Sequence, residues 1–150
     1  MSTQALKGDK TIQGLSTYTD SIRITHADLT AAAANETLNA SFPIKAGQQV
    51  RAVAYKLHTA FSGGSLSSFV IDVGDGDDVD GYIDNVDVFT GAGAFGPALD
   101  GAMTGKTYAV DDNIDFKFTG SGNVNTADAG DIEIFFNIFD VDSIAGRQVS

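Results

Sequence analysis

The stretch "DIEIFFNIFDV", residues 131–141, sets a period of two. Ile132, Ile134, Phe136 and Ile138 fall on one face of a β-strand, whereas in a helix they would scatter around the axis. The same alternation recurs through the chain. Ile22 and Ile24 alternate with Arg23 and Thr25, and Leu38, Ala40, Phe42 and Ile44 follow. Val53, Tyr55 and Leu57 oppose Ala52, Ala54 and Lys56; Phe69, Ile71 and Val73 share a face, as do Ile114, Phe116 and Phe118. "GYIDNVDVF" adds a short strand. The runs between them, "SGGSLSS", "GDGDD" and "SGNVNTADAG", are rich in the residues that make turns. "HADLTAAAANE" allows one short helical turn, with Asp28 or Thr30 as cap, and residues 90–105 read as a loop holding at most one turn of helix. No sustained helical period and no internal repeat is present. The expectation is an all-β chain of about eight antiparallel strands, spaced as in a sandwich or a barrel.

Residues 1–16 lack any period and are expected to form a flexible, extended N-terminal arm, leaving 17–150 as a single β-domain. The last strand is apolar on both faces. Phe135 and Phe139 lie opposite the inward set, so they are covered either by a loop or by another subunit. Together with Leu6, Ile12 and Leu15 of the arm, they are the candidates for contact with another subunit or with a partner surface.

The charge balance narrows the partners. Nine Lys+Arg against 20 Asp+Glu give a formal net charge of −11, which argues against a nucleic-acid partner. No run approaches the roughly 18–20 apolar residues of a membrane span, and the opening "MSTQALKGDKTIQG" has no apolar signal core. With no cysteine, thiol catalysis, disulfides and cysteine-ligated metals are excluded.

The residues that most invite a chemical reading are 69–84, "FVIDVGDGDDVDGYID", in which six of sixteen positions are aspartate. An EF-hand loop starting at Asp75 would need an oxygen ligand at its fifth position and glycine at its sixth, where Val79 and Asp80 stand; Val86 occupies the place of its bidentate glutamate. Against the calcium β-roll repeat, Gly74, Gly76 and Asp78 match, but Val73 replaces a glycine and only one copy exists. The favoured reading is a strand–turn–strand corner in which Gly74 and Gly76 supply positive φ and the aspartates accept local N–H groups. An irregular calcium site through Asp75, Asp77, Asp78 and Asp80 is the competing one.

Enzymatic signals are weak. No carboxylate pair is nominated for glycoside chemistry, and tryptophan, frequent around sugar clefts, is absent. "GAMTGKT" has three residues between Gly101 and Gly105 where a phosphate-binding loop needs four. His26 and His58 are unpaired in spacing and read as surface histidines. The expectation is a chain with no catalytic residues, no metal and no cofactor.

The order of residues over 36–90 resembles small β-sandwich virion proteins of tailed bacteriophages. Phe42, Pro43, Ile44, Gly47, Val50, Val53, Phe61 and Gly63 carry the first part of the likeness. Gly74, Asp75, Gly76, Asp78, Asp80, Gly81, Tyr82 and Ile83 carry the second. The resemblance implies a β-sandwich of jelly-roll type and a non-enzymatic capsid decoration (cement) protein. It implies a homotrimer on the capsid exterior that bridges subunits of the major capsid protein at a local three-fold axis. A phage fibre or tail piece, or a carbohydrate-binding module that uses calcium at Asp75–Asp80, is the alternative.

Overall fold

The computed structural model describes residues 18–30, 37–91, 95–97 and 105–141. The elements are β1 (Asp20–Thr25), α1 (His26–Thr30), β2 (Thr37–Ile44), β3 (Gln48–Ser62), β4 (Phe69–Gly74), β5 (Ile83–Asp87), β6 (Phe95–Pro97), β7 (Asp112–Gly120) and β8 (Ala129–Asp140), with a 3-10 turn at Val124–Thr126. Two four-stranded sheets form, in the orders β1-β8-β3-β6 and β2-β7-β4-β5, and every pairing is antiparallel. The pairs β1·β8, β2·β7, β3·β6 and β4·β5 describe one long ribbon folded on itself and rolled into two layers. That is the strand order of a jelly roll, and the expected all-β sandwich is what forms.

Alternation decides which side chains fill the space between the sheets. Ile132, Ile134 and Phe136 from β8 meet Phe69, Ile71 and Val73 from β4 and Ile114, Phe116 and Phe118 from β7, all buried. Rings organise this core. Phe61 stacks on Phe69 with centroids 5.1 Å apart, Phe118 tilts against both, and Phe116 meets Phe136 edge-on.

β3 departs from simple alternation. Its 15 residues run opposite the 12 of β8, and the three extra residues sit at shifts between Val50 and Ala52, Leu57 and Thr59, and Thr59 and Ser62. Each bulge adds twist and bends the strand across the sandwich. The buried set on β3 is therefore Val50, Val53, Ala54, Leu57 and Phe61 rather than a strict every-second series.

Two expectations need correction. The segment read as loop with a helical turn contains β6, three residues paired to Ala54–Lys56 of β3, with Pro97 on an edge strand, where proline is tolerated. α1 begins at His26, with Thr25 as its N-terminal flank. Asp28 reaches back to accept the Thr25 N–H at 2.8 Å, while Thr30 ends the turn. The arm 1–16, and with it Leu6, Ile12 and Leu15, lies outside the described residues. No helix among the described residues is long and apolar enough to cross a membrane.

Candidate functional site

The aspartate-rich corner joins β4 to β5. The Asp75 N–H donates to the Asp78 carbonyl at 2.9 Å, and the Tyr82 N–H closes the loop on the Val73 carbonyl at 2.8 Å. Gly74 is required by this closure, though not for the reason expected. Neither Gly74 nor Gly76 has positive φ. A Cβ on Gly74 would lie 1.9 Å from the Asp78 carbonyl oxygen, so the loop backbone occupies the place of a side chain; at Gly76 nothing lies within 4 Å.

Asp75 points inward and is wholly buried, the sole polar or charged residue so placed among the described residues. Its Oδ1 accepts the N–H groups of Asp77 at 2.9 Å and Asp78 at 3.2 Å. Its Oδ2 accepts the Lys106 ammonium at 2.6 Å and the Tyr108 hydroxyl at 2.8 Å. The Tyr108 hydroxyl also meets that of the buried Tyr82, 2.9 Å away. Lys106 and Tyr108 reach the corner because residues 105–108 run extended along the start of β3. Gly105 N–H donates to Val50, Tyr108 N–H to Gln48 and Gly47 N–H to Tyr108. Alternation then turns Lys106 and Tyr108 to one side and Thr107 to the other, where it meets Gln49.

The electrostatics follow. Burial alone would push the Asp75 carboxyl up. The Lys106 ammonium, the Tyr108 hydroxyl and two N–H groups outweigh burial and hold it below the usual carboxylate value. Lys106 is raised by the same hydrogen bond. Burial, together with the hydroxyl of Tyr82 and the charge of Asp75, drives Tyr108 far above the tyrosine range. A carboxylate offers about four lone-pair sites, and here four donors use them. Asp75 is thus a structural anion tying the β4–β5 loop to the segment before β7; acting as a ligand or a base would first require dismantling that tie.

The other acids of the corner behave differently. Asp77 projects outward, 85% exposed, and touches Lys106 at 3.1 Å. Asp78 is raised, first by a hydrogen bond with the Asp80 carboxyl and then by burial and Asp80's like charge. Among the described residues no group of three or more His, Asp or Glu side chains stands where it could hold a metal ion.

The remaining candidates are scattered. Phe135 is half-buried on the outer face of the β1-β8-β3-β6 sheet with the Tyr18 ring 6.0 Å away, and half-buried Phe139 lies beneath the Arg51 guanidinium at 5.1 Å. His58 pairs with Glu133 at 3.2 Å, and His26 starts α1, so the two histidines serve separate places. Of "GAMTGKT", residues 101–104 lie outside the described residues, and Gly105–Thr107 belong to the extended segment that carries Lys106. Sequence reading gave no role to Lys106 or Tyr108 and took Tyr82 only as part of the likeness over 36–90. Their one advance signal was a lysine two residues before a tyrosine in an acid-rich chain, the spacing that shares a strand face.

No family model matches the chain, and no curated protein matches it in sequence. Among solved structures, a chain of the cyanophage Pam1 capsid asymmetric unit is similar at 15% identity, with a TM-score of 0.49 over 78% of this chain and 80% of that one. The crystal structure of FLHE is similar at 10% identity, with a TM-score of 0.36 over 80% of this chain and 96% of that one. At these identities and scores, neither likeness bears on function.

Proposed function

We propose that this chain is a structural subunit of a tailed-phage particle that binds the capsid exterior and stabilises it. The observation that carries the reading is the internal use of Asp75. The "GDGDD" signature, through which residues 36–90 resemble small virion β-sandwiches, spends its buried carboxylate on holding two loops together. A signature kept for shape suits a building block better than a catalyst. Jelly rolls also serve as lectins and cupins, so strand order alone does not select this role; the likeness over 36–90 supports a phage particle.

In this reading the chain acts as a homotrimer bridging neighbouring copies of the major capsid protein, with neither cofactor nor catalysis. Its formal charge of −11 suits a partner other than nucleic acid. Many weak, repeated contacts over a shell give the coat its avidity. Light scattering on the purified chain and co-sedimentation with capsids lacking it test the proposal. Trimers that pellet with capsids are expected; a monomer that stays in the supernatant would refute it.

A further inference from the structure

At the end of the sandwich that carries α1, a recess of about 370 Å³ is lined by Thr25, His26, Thr59, Asp128, Gly130 and Asp131, with Ala129 between them. We propose that this recess binds a neutral, polyhydroxylated ligand of monosaccharide size. Its volume lies at the low end of ligand-sized pockets.

Three features set it apart from an incidental dent. First, Thr59 sits between two of the β3 bulges, at the shifts Leu57/Thr59 and Thr59/Ser62. Bulges re-aim side chains, and this pair presents an exposed hydroxyl at the recess with no protein partner among the described residues. Second, Asp128 is held in place while its carboxylate is left unused. Its N–H donates to the Ser62 carbonyl at 2.9 Å, and its Oδ1 lies where a Cβ on Gly63 would be, 2.3 Å from that ideal position. Gly63 has φ +115°, so glycine both makes the turn and leaves room for the carboxylate. Third, the floor is rigid, because Gly130 lies flat on the buried Phe61 ring, where any Cβ would collide at 2.0 Å.

The lining chooses the class of ligand. Asp131 is neutralised by Arg23 through two bonds of 2.8 and 2.6 Å, and the Thr25 hydroxyl donates to Asp28. Among the described lining side chains, the Asp128 carboxylate, the Thr59 hydroxyl, which both donates and accepts, and the His26 imidazole have no partner, while Asp131 and Thr25 keep lone pairs that can accept further. An anion would meet Asp128 and Asp131. A cation would find one uncompensated carboxylate with Arg23 paired close by. Vicinal hydroxyls, each able to donate and accept, match the set without a net charge.

Saturation-transfer NMR with glucose, galactose, mannose and N-acetylglucosamine tests this, with glucuronate and ethanolamine as charged probes. Transfer to at least one neutral sugar is expected, with affinity reduced about tenfold or more in both Asp128→Asn and Thr59→Val. Both positions are exposed, and thermal melts of the variants report their folding directly. No transfer to any of the four sugars would overturn the proposal. So would stronger transfer to glucuronate or ethanolamine, or undiminished transfer in either variant.

Discussion

Replacing Asp75 by alanine should be among the most damaging single changes in the loops. The variant removes one acceptor and leaves four donors without their partner. They do not all suffer equally. Lys106, with 27% of its side chain exposed, keeps Asp77 and can turn to water. The Asp77 and Asp78 N–H groups lie in a partly solvated loop. Tyr108, buried, retains only Tyr82. Each orphaned donor costs about 1–3 kcal/mol, and breaking a buried pair about 3–5 kcal/mol. With partial rescue by water, the loss comes to about 3 kcal/mol, or about 10 °C in Tm for a chain of this size. Circular dichroism melts measure it, with Asp80→Ala as a surface control expected within about 0.5 kcal/mol of the parent. An Asp75→Ala melt within about 3 °C of the parent would refute the reasoning.

The same cluster predicts a pH dependence. Asp75 is depressed in the fold, so its contribution is present above its unfolded value, 3.8, and is lost as pH falls through the folded value. Lys106 and Tyr108 are raised, so their contributions are complete below their unfolded values, 10.5 and 10.0, and are lost as pH rises toward the folded ones. Stability should therefore fall on both the acid and the alkaline side, and Asp75→Ala should flatten the acid limb.

Three further outcomes are expected. Gly74→Ala drives a Cβ into the Asp78 carbonyl and should cost about 3 kcal/mol in urea unfolding, whereas Gly76→Ala, with open space around it, should cost less than about 1 kcal/mol. Phe61→Ala removes the ring stacked on Phe69 and supporting Gly130, and should cost about 4 kcal/mol by the same assay. Millimolar calcium against chelator should leave Tm unchanged, since donors already fill Asp75; a rise of several degrees that Asp75→Ala abolishes would instead make the corner a cation site.

The strands were legible because each buries one face, and burial on one face writes a period of two. β4, β7 and β8 follow that period almost residue for residue. The bulges of β3 were not legible, since they are fixed by the length of chain needed to cross a twisted partner rather than by any local residue pattern. β6 was missed because a three-residue edge strand of Phe95, Gly96 and Pro97 exists only through its pairing with β3. The aspartate corner was half legible. That it turns the chain was written in its glycines and aspartates. That Asp75 alone points inward depends on Lys106 and Tyr108, some thirty residues away, and a single sequence does not record such pairings.

The central claim is that this chain is a repeated structural part of a phage shell. Quantitative mass spectrometry of purified virions, paired with a cryo-EM reconstruction of their heads, tests it most directly. The account predicts the chain in many copies per particle, in a fixed ratio to the major capsid protein, with the jelly roll resolved on the outer surface in groups of three. Its absence from washed particles, or density for it only at the tail, would contradict the account.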